Sequence, residues 1–217
     1  MSVVAETARD ATVGVAIADT REGLSAIRQP GCAAAIWRRR AVPSFQSWID
    51  GLDPERLPAA RVVLPAADVR DATVRICEAA GTPDCAERTR LIDDTAALAE
   101  MFADLMNASY LRLRLDVVTS NACRKFHVDT ITARLICTLR GTGTQYGISI
   151  DGAEPQRILT VPTGAPILLR GLLWPERPKS GLLHRSPPIA GTGETRLVLV
   201  LDPMPGPDEF SDLPTMQ

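Results

Sequence analysis

Residues 110–139 read YLRLRLDVVTSNACRKFHVDTITARLICTL, and this stretch decides the fold. Leu111, Leu113 and Leu115 alternate with Arg112, Arg114 and Asp116, the period-two pattern of a half-buried strand. Further short strands are expected at Asp116–Thr119, Lys125–Asp129, Arg134–Leu139, Arg157–Val161, Ile167–Leu169, Leu182–Arg185 and Arg196–Leu201. The clusters GTGTQYG, PTGAP, WPERPKSG and PPIAGTGE separate these runs. Many short strands punctuated by Gly and Pro predict a β-sandwich or barrel.

Upstream the period is helical. Short helices are expected at Arg21–Arg28 and Ser44–Gly51, with a strand at Ala33–Trp37 between them. A longer helix is expected over Ala67–Ala80, ending at Gly81. The clearest helix runs from Asp94, a candidate N-cap, to Asn107, with Leu98, Met101, Phe102, Leu105 and Met106 as its apolar stripe. The expected organisation is a mostly helical support over 1–108, a β core over 109–202 and a proline-rich, acidic loose tail over 203–217.

Composition narrows the function. The chain has 217 residues and a formal net charge of −2, which argues against general nucleic-acid binding. The run Arg38-Arg39-Arg40 is its one basic cluster and is expected to be a solvated face. Mean hydropathy is near zero, and no apolar run reaches the roughly 18–20 residues of a spanning helix. The N-terminus lacks a basic start and an apolar stretch, so no secretory signal is expected. Five scattered cysteines without a C-x-x-C pair fit reduced thiols in a cytoplasm.

The chain has only two histidines, His127 and His184. In a strand, residues i and i+2 share a face, so His127 and Asp129 present an imidazole and a carboxylate side by side. His184 is the sole remaining imidazole that could complete a metal site. Two imidazoles and one carboxylate with open positions form the ligand set of non-haem Fe(II) oxygenases.

From here the order of motifs resembles the prolyl-hydroxylase-like Fe(II)/2-oxoglutarate oxygenases. HVD at 127–129 precedes RLICTLRG at 134–141, the turn GTGTQY at 141–146, PTGAPILL at 162–169 and LLHRSPPIAGTGETRLVLVLD at 182–202. The resemblance implies an α+β chain: a double-stranded β-helix (jelly-roll, cupin-like) barrel with a helical N-terminal region packed on one sheet. It implies a dioxygenase that hydroxylates a small molecule or protein side chain. His127, Asp129 and His184 would hold Fe(II), and Arg196, with Thr138, would hold the distal carboxylate of 2-oxoglutarate. Strand period puts Arg196 on one face with Val198 and Val200, and a charge on an interior face calls for an anionic partner.

The pattern departs from that family in places. TSNACRKF lacks the Tyr and Gly that the family carries upstream of the motif, so substrate-side equivalence does not carry over. Strand period places Cys123 and Lys125 on the face of His127 and Asp129, and a thiolate there would suit zinc better than iron. Arg134 is a further candidate near the metal, and Tyr146 and Trp174 fall in loops at the barrel rim. Arg185 is expected to point away and pair with Asp202 or Glu194. The wording of both motif stretches resembles, more closely still, a bacterial domain-of-unknown-function family. Its members tend to be encoded near zinc-responsive metallochaperone GTPases, which implies a second possibility: a zinc protein of metal homeostasis partnering such a GTPase.

Overall fold

The computed structural model describes residues 13–149 and 153–206. The expected absence of a signal, which concerns the N-terminus, and the part of the expected 203–217 tail beyond residue 206 therefore lie outside the described residues; Pro203 and Met204, expected in that tail, instead pair as strand with Leu111 and Tyr110. Ten strands and three α-helices make up the described chain. Strands β1 (Gly14–Ala18), β2 (Cys32–Trp37) and β3 (Ala60–Pro65) alternate with a 3-10 segment at Glu22–Arg28 and helix α1 (Pro43–Gly51). Helices α2 (Val69–Ala79) and α3 (Ala86–Met106) lead into β4 (Tyr110–Val118). The remaining strands are β5 (Ala133–Arg140), β6 (Gln145–Ile148), β7 (Leu159–Thr160), β8 (Pro166–Arg170), β9 (Leu182–Arg185) and β10 (Arg196–Met204).

Seven strands form one sheet in the order β1-β2-β8-β5-β10-β4-β3, and β7-β6-β9 form a second. Three N-terminal strands thus extend the large sheet at both edges, so this region does more than cover it. The missed strands β1 and β3 are short and lack clean alternation, and the missed β6 sits within the Gly-rich run read as a turn.

The large sheet buries both faces. One carries Leu111, Leu113, Leu115, Leu135, Leu139, Leu197, Leu199 and Leu201 against the helices, where Phe102, Leu98 and Leu91 of α3 and Ile49 of α1 complete the main core. The other face contributes Ile36, Ile136, Ile167, Val198 and Val200 to a second cluster with Tyr146, Val161 and Leu182 around the small sheet. The arginines that alternate with leucine along β4 therefore face this inter-sheet side, so the strand expected to be half-buried meets protein on both faces.

Helix α3 begins eight residues before Asp94. That carboxylate caps nothing; it takes two nitrogens of Arg39 at 2.5 and 2.6 Å. Arg39 also donates to the Gly164 carbonyl, so the middle of the expected solvated basic run is a tertiary clamp. The helix stops at Asn107 in the left-handed region (φ 51°), whose amide and that of Ala108 return to Asp104 and Ala103. Phe102 is fully buried between this helix and the sheet. Phe102→Ala is expected to cost about 3–5 kcal/mol, read as a lower urea midpoint; a loss under about 1 kcal/mol would contradict the packing.

Candidate metal centre

The centre starts from a backbone pairing. The amide of His127 donates to the His184 carbonyl at 3.1 Å, and the amide of His184 returns to the His127 carbonyl at 3.0 Å. Directly opposed residues in such an antiparallel bridge point their side chains to the same side, within about 5.5 Å at Cα. The two imidazoles accordingly lie with ring centroids 4.5 Å apart. Of the segment Lys125–Asp129, read as a strand, only His127 forms a bridge.

Asp129 is anchored through its own carbonyl and those of its C-terminal neighbours. The amides of Gly171, Leu172 and Leu173 donate to the carbonyls of Thr132, Asp129 and Ile131. Gly171 permits this approach, since a Cβ there would stand 2.0 Å from the Ile131 carbonyl oxygen. Upstream, Asn121 Oδ1 accepts from the amides of Ile189 and Ala190, and the Ser186 amide donates to the Cys123 carbonyl. The loops flanking both histidines are thereby tied together.

One ligand atom from each of His127, Asp129 and His184 lies within 4.8 Å of the others. His127 Nδ1 donates to the Lys125 carbonyl at 2.8 Å, which leaves Nε2 as the lone-pair nitrogen. Asp129 Oδ1 accepts from Arg134 Nη1 at 2.5 Å, while Oδ2 is buried, 3.1 Å from His184 Nε2, and has no hydrogen-bond partner. A buried carboxylate oxygen without a hydrogen bond beside His184 Nε2, with His127 Nε2 3.6 Å from the other oxygen of the same carboxylate, fits a divalent cation. Arg134 in turn forks onto Asp202 at 2.6 and 3.0 Å, and Arg112 bonds the same carboxylate at 3.1 Å.

Charge follows the geometry. Burial opposes ionisation of Asp129, but the two imidazoles and the Arg134 guanidinium outweigh it, so its carboxyl sits far below the usual range. The Asp129 carboxylate raises His127, whereas burial lowers His184. A proton therefore reaches His127 first as the pH falls.

Behind the triad is a cavity of about 200 Å³ between the sheets. Arg196, 1% exposed, lines it from β10; its Nε donates to the Thr142 carbonyl at 2.6 Å and Nη2 reaches Thr138 Oγ1 at 3.4 Å. Its Nη1 is buried without a partner, and burial lowers its pKa. Thr138 supports Arg196, and Thr144, which sequence reasoning missed, lines the cavity itself. Cys123 is exposed at the cavity edge and stands outside the ligand group; Lys125 is exposed and contributes its carbonyl. Tyr146 is not at a rim: it is buried in β6, paired with His184 across the small sheet. Trp174 is buried beneath the Arg170 guanidinium. Arg185 bonds Gln145 and stacks on Phe126 rather than meeting Asp202 or Glu194, which are engaged by Arg134 and Thr142. Arg114, read only as the polar side of a strand, also faces the cavity.

With this geometry in place, similarity to known proteins becomes informative. A model of a protein family of unknown function, DUF1826, matches residues 18–202. The chain belongs to the DUF1826 family. No curated protein matches it significantly. Among solved structures, it is similar to the 2-oxoglutarate complex of a dioxygenase for auxin oxidation from Arabidopsis thaliana, at 9% identity and TM-score 0.52, over 90% of this chain and 93% of that one. The rice dioxygenase for auxin oxidation aligns at 13% identity and TM-score 0.49, covering 88% and 83%. An oxidoreductase of the 2OG-Fe(II) oxygenase family from Burkholderia pseudomallei aligns at 14% identity and TM-score 0.44, covering 88% and 94%. At these identities the Arabidopsis likeness speaks for the fold alone: a mixed α+β chain built on a large sheet, similar to that dioxygenase. No helix among the described residues is long and apolar enough to cross a membrane.

Two measurements address the centre of this DUF1826 protein. Arg134→Gln is expected to weaken Zn(II) or Fe(II) affinity about 10–100-fold, because the Asp129 carboxylate loses its orienting partner; unchanged affinity in a chelator competition would overturn that role. Acidification is expected to lower Zn(II) affinity, about tenfold per pH unit once below the raised pKa of His127, since its proton competes for Nε2. A dye-competition titration showing no pH dependence between pH 5 and 7, about the ordinary histidine range, would count against His127 as a ligand.

Proposed function

We propose that this chain is a non-haem Fe(II)/2-oxoglutarate-dependent oxygenase that hydroxylates a small molecule or a protein side chain. One observation carries the reading: the unpartnered Asp129 Oδ2 and two imidazoles converge at a cavity whose lining includes Arg196 with a free buried Nη1. The imidazoles and the carboxylate would hold the ion and neutralise one of its charges. Arg196 would grip the distal carboxylate of 2-oxoglutarate through charge-assisted hydrogen bonds, with Thr138 steadying its guanidinium. Bound iron with this cosubstrate and dioxygen supplies the oxidising power, the 2-oxo acid leaving as succinate and carbon dioxide.

We read the two sheets as halves of a double-stranded β-helix. The order β8-β5-β10-β4 in one, and β7-β6-β9 with the His127 segment beside β9 in the other, supports this. The solved 2-oxoglutarate complex of the Arabidopsis relative in fold supports the cosubstrate. Nothing favours the zinc alternative, because Cys123 lies outside the ligand group. A metallochaperone GTPase as partner and a cytoplasmic location stay proposals that rest on the family resemblance and the cysteine pattern.

Anaerobic addition of Fe(II) and then 2-oxoglutarate is expected to give a weak visible charge-transfer band, and exposure to oxygen to release succinate. A folded protein that gives neither would overturn the reading. Arg196→Met is expected to weaken 2-oxoglutarate binding about 10–100-fold while sparing metal binding.

A further inference from the structure

The cavity has more positive charge than its cosubstrate would use. Arg114, Arg134, Arg185 and Arg196 line it against only two carboxylates, Asp116 and Asp129. A divalent ion and a dianionic 2-oxo acid add no net charge between them, so the excess persists in a loaded site. Glu194, which lies beside Arg196 and accepts from Thr142, offsets at most one of these charges. Arg134 and Arg185 have partners in Asp129, Asp202 and Gln145. Arg114 is different. Its Nε is buried without a hydrogen bond, and its one ion-pair neighbour among the described residues, Asp116, stands 3.9 Å away with a side chain 42% exposed. Such a pair contributes little. A buried N–H without a partner calls for an acceptor from outside the chain.

Strand register says where that acceptor would sit. Arg112, Asp202 and Arg134 form one cross-strand row on the inter-sheet face; Arg114, Val200 and Ile136 form the next; then Asp116, Val198 and Thr138; then Val118 and Arg196. Arg134 fixes the ligand carboxylate Asp129, so the first row marks the metal end. Arg114 is one row from it, about 7 Å along the strand, whereas Arg196 is about 13 Å beyond Arg114. The two arginines are thus rooted at different depths of one cavity, Arg114 in the row next to the metal end and Arg196 three rows from it, its guanidinium reaching back to Thr138 in the row beyond Arg114. A cosubstrate anchored at Arg196 and chelating the metal leaves Arg114 flanking the reacting position.

We propose that the substrate carries a carboxylate and that Arg114 grips it beside the metal. This rests on the oxygenase reading of the same site. A carboxylate fits better than a phosphate dianion, because Asp116 already supplies part of the countercharge to Arg114 and would repel a second negative charge. The planar two-oxygen group also matches the edge of a guanidinium. Burial and the like charges of Arg134 and Arg61 press on Arg114, Asp202 and Asp116 offset part of this, and a bound anion would relieve the rest.

The test uses the full chain, loaded with Zn(II) as a diamagnetic ion, with its arginine Nε–H resonances followed by nitrogen-15 NMR. The Arg114 signal is assigned by its loss in Arg114→Lys, and that of Arg196 by its loss in Arg196→Lys. With 2-oxoglutarate present, propionate and benzoate are expected to shift the Arg114 signal saturably, while propionamide and benzamide do not. Arg114→Met is expected to bind the two carboxylates at least tenfold more weakly, with Arg114→Lys intermediate. Carboxylates that move no Arg114 signal, that move Arg196 instead, or that bind Arg114→Met and Arg114→Lys as tightly as wild type would each overturn the proposal. The Arg196 signal is expected to respond to 2-oxoglutarate in the same samples. An Arg196 signal indifferent to 2-oxoglutarate would overturn the oxygenase reading itself, and the substrate role of Arg114 with it, even where carboxylates bind there.

Discussion

Two reciprocal backbone hydrogen bonds between His127 and His184 are the constraint on which the rest of the site depends. They join segments 57 positions apart in sequence, and a directly opposed pair cannot turn one side chain away without turning the other. A one-residue slip of the His127 segment would send its imidazole to the far side of the small sheet, away from that of His184. The register is guarded from both flanks: β6 pairs Tyr146 with His184, and Asn121 caps the amides just after Pro188. Placement of the nitrogens is therefore a property of the backbone, and the side chains need only their rotamers.

The carboxylate is positioned by a different device. Asp129 has no ladder of its own and depends on Arg134, which spends one nitrogen on Asp129 and two on Asp202. Asp202 is fully buried and also receives Arg112, so the C-terminal strand of the large sheet reaches Asp129, the candidate metal ligand, through a single guanidinium. The two sheets meet at the site by polar contacts where elsewhere they meet by apolar ones.

The C-terminal strand sequence was legible because its periods are strong. β5, β8, β9 and β10 lie close to where alternation and turn residues put them. The triad was legible because only two histidines exist and one sits in H-x-D. The features that escaped had no local signal. Alternation along β4 says that two faces differ, and it cannot say that the arginine face meets another sheet rather than water. Arg114, Thr144 and the Arg134–Asp202 fork are products of register between distant strands. Asp94 misled for the same reason: a capping residue and an ion-pair partner look identical in sequence until Arg39 arrives from elsewhere.

The buried charge network is a poor choice if stability were its only purpose. Desolvating Asp129, Arg134, Asp202 and Arg112 costs several kcal/mol per ion before their mutual attraction is counted, and apolar residues of similar volume would do as well or better. Three of the four lie on central strands flanked by Leu111, Leu113, Leu135 and Leu201, where a continued apolar run would pack without penalty. What an apolar row cannot do is hold a carboxylate with one oxygen engaged and the other bare. The network therefore makes physical sense as the device that holds Asp129 by Oδ1 and leaves Oδ2 beside His184, and its cost is the reason to read the centre as functional rather than as a chance meeting of polar side chains.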